Sequence, residues 1–291
     1  MEAFHPRAAL PVNLAQPAWC SFKDAAASYV ENGGDSRYLP KIIEHFGDRS
    51  LASIFPFDVK KLAMELYPSQ QNATRNRCVI TPVRAIFFHA YERGWALPIR
   101  LRNLKEEAPQ RKKAASQAWL HAFVRQCGKD NLEHLAALVL FMSQTGARIS
   151  EALELRWSEV DLSNRTALLV KTKTGRNSTR FLTGQIIGRL YALQEGTTPD
   201  DRVFRYRNRH SVNERIAAVC RRAEIVYKPT HTCGRHAFAN IALSMGVDVK
   251  SAMDAGGWKS TAVFLGTYAN PRNAGRVVAE RLNVYQYDAD L

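Results

Sequence analysis

An arginine stands at the start of a predicted helix in the segment T-G-A-R-I-S-E, residues 145–151. A guanidinium beside the unpaired N–H groups of a helix start is a favourable site for a phosphate group. Glu151 follows Arg148 by three residues, so its carboxylate can orient the guanidinium or stabilise the first helical turn. A surface ion pair gives the same pattern, so anion binding is one of two interpretations of this segment.

The segment T-H-T-C-G-R-H, residues 230–236, begins a second predicted helix, whose apolar residues continue to Met245. His231 and Arg235 are four residues apart and can share one helical face. Such a pair can hold a phosphate and transfer a proton near neutral pH. A capping or surface histidine at 231 is the alternative, and His236 is predicted to pack beside the site as support.

Three further residues could join these two segments, although none is diagnostic alone. Lys173 lies in the predicted turn of a hairpin, where it can reach into a groove and donate a proton, or simply be solvated. Trp258 follows a glycine pair, and its indole N–H can donate a hydrogen bond while its ring fills a core. Tyr268 comes ten residues later and is one of ten tyrosines.

Five segments, taken together, resemble the tyrosine recombinase (phage integrase) family. They are T-G-A-R-I-S-E-A-L-E-L-R-W, V-K-T-K-T-G-R, G-R-H-A-F-A-N, A-G-G-W and T-Y-A-N, in the family's order and at family-like distances. The resemblance extends from about Trp19 to Tyr268. It implies a mainly α-helical fold, with a small N-terminal helical core-binding domain and a C-terminal catalytic domain of helices and a small antiparallel sheet. The two domains are implied to enclose DNA like a clamp.

The resemblance implies a site-specific recombinase or integrase that breaks and rejoins DNA through a covalent 3′-phosphotyrosyl intermediate. Tyr268 is the implied nucleophile. Arg148 and Arg235 are implied to bind the non-bridging oxygens of the scissile phosphate, and Lys173 to protonate the leaving 5′ oxygen. His231 is implied to assist deprotonation of the tyrosine. The implied supporting residues are Trp258 at the phosphate, Glu151 and His236.

The sequence departs from the family pattern at three positions. The family has a histidine three residues before its second arginine, where this chain has Thr232. We predict that His231 takes that role, because Gly234 lets the turn shift by one residue. The position often held by histidine is Trp258, which donates a hydrogen bond but cannot act as a base. Tyr268 lies one residue later than the commonest spacing.

Neither a metal ion nor ATP is implied as a cofactor. Two arginines and a lysine supply positive charge, and the sequence has neither a His/Asp/Glu cluster with ligand spacing nor a G-x-x-x-x-G-K-[ST] loop. The implied partner is double-stranded DNA with a specific target site, bound by a homotetramer on two duplexes, with or without accessory DNA-bending proteins. Two alternatives are a type IB topoisomerase-like enzyme that cuts and reseals one strand, and a catalytically inactive DNA-binding protein.

The composition favours a nucleic-acid partner over a merely solvated basic face. The 291 residues carry a net charge of +14, and residues 71–113 supply half of it, with ten basic and three acidic residues. Clustered cations displace counterions from a phosphate backbone. No apolar run is long enough to span a membrane, and five widely spaced cysteines fit the reducing cytoplasm. The DNA partner that the resemblance implies adds an expected association with the nucleoid. The predicted DNA contacts are Arg75, Arg77, Arg84, Arg111, Lys112, Lys113, Arg176 and Arg180.

The pattern of elements predicts five segments along the chain. They are a flexible arm (1–18), the core-binding domain (19–98), a basic linker (99–115), the catalytic domain (116–273) and a tail helix (274–291). The longest helix of the first domain is predicted from Asn76 to Arg93. In the second domain, strands at 166–170 and 180–183 flank the Lys173 turn. The tail helix is amphipathic and either docks on a neighbouring subunit or packs on its own domain.

Overall fold

The computed structural model describes residues 20–107, 113–170, 177–268 and 274–283. The chain divides into two compact units, Met1–Gln110 and Arg111–Leu291. Both are mainly helical, and the second contains a small antiparallel sheet, which confirms the predicted fold class. The predicted arm, residues 1–18, lies outside the described residues. None of the helices in the described ranges is long and apolar enough to cross a membrane.

The first unit is a small helical bundle. Its helices are α1 (Phe22–Glu31), α2 (Leu39–Phe46), α3 (Pro56–Leu66), α4 (Asn72–Arg75) and α5 (Thr81–Glu92). Each long helix turns an apolar stripe inward, as amphipathic helices of small domains do. The bundle is closed by side chains that are almost fully buried, among them Phe22, Ile42, Leu62, Val79 and Ile86.

The predicted helix from Asn76 begins four residues earlier and is interrupted by a wider turn. A π-helical turn, Asn76–Ile80, joins α4 to α5, and within it the Thr81 N–H donates to the Asn76 carbonyl, five residues back. Pro82 explains the widening, because a proline has no N–H for the carbonyl four residues earlier and its ring crowds that carbonyl. The Asn76 side chain is turned toward the segment that follows α5.

Asn76 fixes the start of the predicted linker to the first unit. Its Nδ2 donates to the Leu104 carbonyl (2.9 Å) and to Glu106 Oε1 (2.7 Å), and its Oδ1 accepts the Leu104 N–H (2.8 Å). Leu101 is buried in the same core. Residues 99–106 are therefore part of the first unit, whereas the sequence assigns them to a linker.

The second unit is built around α7 (Glu133–Thr145). Every residue from Leu135 to Met142 is buried, the pattern of a helix surrounded by other elements. The other helices are α6 (Gln117–Lys129), α8 (Ile149–Glu154), α9 (Gly184–Gln194), α10 (Arg209–Arg222), α11 (Thr230–Cys233), α12 (Arg235–Ser244), α13 (Val249–Gly256), α14 (Thr261–Tyr268) and α15 (Ala274–Leu282). A second, smaller core lies between α12, α13 and α14.

The sheet of the second unit has the antiparallel order β1-β2-β3, with β1 Val160–Asp161, β2 Thr166–Leu169 and β3 Ser178–Phe181. The two predicted strands are thus confirmed, to within two residues at each end. Ala167 pairs with Arg180 across β2 and β3. Because side chains alternate along a strand, this register puts Arg180 on the face that Ala167 and Leu169 bury.

Replacement of Asn76 by alanine should release the segment after α5. Three hydrogen bonds disappear, and the Leu104 N–H and carbonyl lose a buried partner, which costs about 1–3 kcal/mol. Amide hydrogen exchange on the full chain should therefore accelerate at Leu104. Asn72→Ala is the matched control, because Asn72 gives this segment one exposed bond, to the Lys105 carbonyl. Equal protection at Leu104 in both variants would contradict this account.

Candidate active site

Arg148 lies where α7 turns into α8. The helix ends at Gly146, whose φ of +68° is a left-handed conformation that glycine adopts at little cost. Arg148 caps α8, and its N–H and Nη1 donate to the two carboxylate oxygens of Glu151 at 2.8 and 2.7 Å. The carboxylate is buried, and about a third of the Arg148 side chain stays exposed. Glu151 therefore contacts both the backbone and the guanidinium of Arg148, and its role in orienting Arg148 for a phosphate stays a prediction.

Arg235 starts α12 and is 3 % exposed. Its Nη1 donates to the carbonyls of Gly146 (2.5 Å) and Gly256 (2.7 Å), and its Nη2 to that of Gly257 (3.2 Å). Gly146 follows the last residue of α7, and Gly256 ends α13. One guanidinium thus joins the carboxyl ends of two helices, where carbonyls lack intrahelical partners.

Trp258 lies directly over Arg235. The Arg235 Cζ is 3.5 Å from the centre of the Trp258 ring, a close cation–π contact. The indole also stacks on Phe238 at 6.0 Å and meets Phe264 edge-on at 5.1 Å. Trp258 therefore both packs the small core of α12–α14 and covers one face of the guanidinium.

Tyr268 is the last residue of α14 and is 5 % exposed. Its ring contacts Trp258 at 5.4 Å, Phe264 at 5.1 Å and His236 at 4.9 Å between ring centres. The His236 ring in turn contacts His231 at 4.3 Å. Tyr268 is thus held by aromatic rings from α12, from α14 and from the loop between α13 and α14, within the electrostatic field of Arg235.

His231 and Thr232 are the two candidates for the family's histidine position. The His231 side chain contacts the aromatic cluster through His236. His231 is exposed, whereas His236, between it and Tyr268, is buried. Thr232 is 3 % exposed, and its hydroxyl has no hydrogen-bond partner among the described residues. Both residues belong to the four-residue helix α11, which ends at Gly234.

The structure corrects the expected placement of Arg180. The sequence predicts a surface contact to the DNA backbone, but the side chain is 2 % exposed. Its guanidinium donates to the carbonyls of Ala255 and Gly256. The signal that could have revealed this is the alternation in β2, because Ala167 and Leu169 mark the buried face onto which the opposite strand projects Arg180.

The site carries more positive than negative charge. Arg148, Arg180 and Arg235 are close enough to perturb one another, and Glu151 supplies one carboxylate against these three guanidinium groups. Burial, followed by repulsion from Arg148, lowers the pKa of Arg235 to about 10, and burial also lowers the pKa of Arg180. An anion near these groups would relieve the repulsion, so the arrangement favours a phosphate.

The predicted DNA contacts of the first unit fall into two groups. Arg75 donates to the carbonyls of Tyr67 (3.0 Å) and Pro68 (2.7 Å), and Arg84 donates to the Leu101 carbonyl (3.0 Å) and Asn103. Both are therefore engaged in holding their own unit, unlike the free surface cations that the sequence predicts. The exposed residues among the predicted contacts are Arg77, and Lys113 of the second unit. Lys173, Arg176, Arg111 and Lys112 lie outside the described residues.

The environment of Tyr268 predicts how its hydroxyl titrates. Burial raises the pKa of Tyr268 above its ordinary value, while Arg235 and a hydrogen bond from the Trp258 side chain lower it. Trp258→Phe should therefore move the tyrosinate signal of Tyr268 to higher pH. The Tyr268 signal is the difference in tyrosinate absorbance between a protein that has Tyr268 and one that carries Tyr268→Phe. This difference is recorded once in the wild-type protein and once in the Trp258→Phe variant.

Tyr191→Phe is the control, because Tyr191 is exposed on α9. The absorbance difference that it gives should be the same with and without Trp258. An unchanged Tyr268 signal after Trp258→Phe would contradict the proposed environment.

Comparisons with known proteins bear on this arrangement. The sequence profile of the phage integrase family matches residues 116–274, more than half of the chain. No curated protein sequence is significantly similar to the chain. Similar solved structures include the Tn1549 transposon integrase in complex with circular intermediate DNA, at 15 % identity and a TM-score of 0.70, covering 90 % of this chain and 99 % of that chain.

Two further structures share the fold. XerA recombinase is 18 % identical with a TM-score of 0.52, covering 91 % of this chain and 99 % of that chain. A lambda integrase dimer bound to a core site is 14 % identical with a TM-score of 0.65, covering 86 % and 77 %. The matched profile spans every element that contributes to the arginine, histidine, tryptophan and tyrosine cluster. The chain therefore belongs to the phage integrase family, the tyrosine recombinases.

Proposed function

We propose that the protein is a site-specific DNA recombinase that breaks and rejoins DNA through a covalent 3′-phosphotyrosyl intermediate, without metal or ATP. The observation that carries this proposal is the position of Tyr268. Its ring packs against Trp258, which covers the guanidinium of Arg235, in a site with an excess of positive charge. A nucleophile and an anion-binding cluster are thus adjacent, which is the arrangement that phosphoryl transfer to a tyrosine requires.

The arginines bind the reacting phosphate in this mechanism. Arg148, which stays partly exposed, and Arg235 interact with the non-bridging oxygens and stabilise the charge that develops in the transition state. Tyr268 Oη forms the new bond to phosphorus, and the bond from phosphorus to the 5′ oxygen breaks. Glu151 supports this step by holding Arg148 through both carboxylate oxygens. Trp258 supports it by covering the guanidinium of Arg235.

Two proton transfers accompany this exchange. The tyrosine proton leaves toward the histidine pair, in which His236 contacts Tyr268 and the exposed His231 passes the proton to solvent. Lys173 gives a proton to the leaving 5′ oxygen. The reverse reaction, with a 5′ hydroxyl of another strand as nucleophile, rejoins the DNA and releases Tyr268, so the energy of the phosphodiester bond is conserved.

DNA binding extends beyond the reacting phosphate. The protein binds a duplex that carries the target site, and Arg77 and Lys113 are exposed cations that can contact phosphates. The residues Arg111, Lys112 and Arg176 add charge along the chain between and within the units. The structures of Tn1549 transposon integrase with DNA, with the same fold, support a DNA partner.

Assembly on two duplexes needs contacts between subunits, and α15 supports a tetramer. This helix exposes Val278 and Leu282 on its surface. We propose that these side chains dock on a neighbouring subunit, where the apolar groove lined by Leu120, Phe238 and Ile241 offers a matching surface. The proposed biological role is the movement of a mobile element. The proposed location is the cytoplasm, at the nucleoid, and DNA-bending proteins are proposed as optional partners.

Tyr268→Phe tests the nucleophile. The wild-type protein should form a covalent adduct with a nicked duplex that carries the sequence it selects from a random pool, because the short strand diffuses away after cleavage. The variant should lose the adduct completely and bind the same DNA within about twofold, since one hydroxyl is removed. Adduct formation by Tyr268→Phe would refute this nucleophile, and its absence in the wild type would favour an inactive DNA-binding protein.

His231→Ala and Thr232→Ala test the shifted histidine. We expect His231→Ala to slow adduct formation by about 100-fold, in the range of a lost general base, and Thr232→Ala to have a small effect. The rates should be measured in single turnover with saturating protein. If only Thr232→Ala slows adduct formation, then Thr232, three residues before Arg235, has the catalytic role and the prediction for His231 is wrong.

Plasmid relaxation separates the recombinase from a type IB topoisomerase-like enzyme. A supercoiled plasmid without the selected target sequence should stay supercoiled, and one with two target sites should recombine. Efficient relaxation of the site-free plasmid would favour the topoisomerase alternative, and Tyr268→Phe provides the control for contaminating activity.

A further inference from the structure

Arg180 is a buried cation in the candidate active site that the mechanism above leaves unused. The register of β3 turns it inward opposite Ala167, and it is 2 % exposed. Its Nε has no hydrogen-bond partner among the described residues. Burying a guanidinium is costly unless it is hydrogen-bonded, so its remaining bonds must contribute to the structure around it.

Those bonds go to the same short stretch of backbone that holds Arg235. The two terminal nitrogens of Arg180 donate to the carbonyls of Ala255 and Gly256. The Gly256 carbonyl also accepts a hydrogen bond from Arg235 Nη1, at 2.7 Å. One carbonyl oxygen is therefore shared by two guanidinium groups, and its position sets the position of both.

The backbone next to this carbonyl is shaped around Arg180. Gly257 has a φ of +67°, and a Cβ at this position would lie 2.6 Å from Arg180 Nη2. The Gly257 carbonyl accepts from Arg235 Nη2, and the next residue is Trp258, which covers the Arg235 guanidinium. This one turn therefore contacts Arg180, accepts a hydrogen bond from Arg235 and leads directly into Trp258, whose ring contacts Tyr268.

We propose that Arg180 is a positioning residue, which fixes the Gly256 carbonyl and thereby orients the guanidinium of Arg235 toward the scissile phosphate. The inference rests on the proposed function, because it concerns the same phosphate. It replaces the predicted role of Arg180 as a contact to the DNA backbone. A displacement of about 1 Å in a catalytic group can cost 100-fold in rate, so a residue that touches neither DNA nor Tyr268 can control cleavage in this way.

The test compares Arg180→Met, Arg180→Lys and Arg235→Lys in single-turnover adduct formation on the nicked duplex. Two versions of the duplex are used, one with the natural scissile phosphate and one with an uncharged methylphosphonate in its place. On the natural phosphate we expect Arg180→Met to be about 100-fold slower, and Arg180→Lys, which keeps one donor, to recover part of that loss. DNA affinity should change by less than about threefold.

The uncharged linkage distinguishes positioning from a general structural defect. Because it lacks the charge that Arg235 neutralises, the defects of Arg180→Met and Arg235→Lys should shrink together on this duplex. Equal defects of Arg180→Met on both linkages, or normal rates on both, would overturn the proposal. A loss of DNA affinity as large as the loss of rate would instead make Arg180 a DNA contact.

Two controls keep the result interpretable. Arg189→Met removes an arginine that pairs with Glu133 at the opposite end of α7, and it should cleave at the wild-type rate. If Arg180→Met unfolds by circular dichroism, the comparison of linkages is made with Arg180→Lys, which retains the charge. If the wild-type protein forms no adduct, the proposed function fails. If the wild-type protein forms the adduct and Arg180→Lys forms it at the same rate on both linkages, only the inference about Arg180 fails.

Discussion

Backbone carbonyls, not carboxylates, hold the buried guanidinium groups of the second unit. The acceptors of Arg235 lie at the carboxyl ends of α7 and α13, where the last carbonyls lack intrahelical partners and the helix dipole is negative. Each charge-assisted hydrogen bond of this kind contributes roughly 1.5–3 kcal/mol. The Arg235 guanidinium therefore supplies hydrogen-bond donors to the carbonyls at two helix ends, and these carbonyls supply its acceptors. This contact fixes the positions of α7, α12 and α13 relative to one another.

This choice of partner has an electrostatic consequence. A carbonyl satisfies the hydrogen bonds of a guanidinium but leaves its formal charge in place, whereas a carboxylate would cancel it. Arg148 is paired with Glu151, while Arg235 and Arg180 are bonded to backbone. The lowered pKa of Arg235, about 10, is a sign that this charge is held at a cost. A bound anion would lower that cost, because its charge would offset the repulsion between the guanidinium groups.

The sequence predicted best what depends on neighbouring residues. The hairpin strands are a local pattern, and the structure confirms them. The contact between Arg148 and Glu151 is local as well, because the two residues are three positions apart. The surface position predicted for Arg180 is wrong, because its burial depends on the pairing of β3 with β2, which a count of basic residues does not reveal. The same count does not reveal that Arg75 and Arg84 bond to other segments of the first unit.

The smaller errors have equally local causes. The long helix of the first unit begins at Asn72, four residues before the predicted start, and Pro82, inside the predicted helix, is accommodated by a π-helical turn. The predicted linker is shorter at its start because Asn76 reaches Leu104, 28 residues away, a contact that no helical periodicity contains. The roles assigned to His231 and Lys173 remain predictions; for His231 the structure adds contact with His236.

The close approach of Gly146 and Gly256 links chemistry to folding. A Cβ at Gly146 would lie 3.0 Å from the Gly256 Cα, so these two turns meet at backbone distance. Arg235 bridges them from 89 and 21 residues away along the chain. Such a contact forms late, because long loops must close before it exists. A chain that is still emerging from the ribosome, or that has partly opened, therefore holds Tyr268 and the arginines apart. The positively charged cluster beside Tyr268 is assembled only in the fully folded unit.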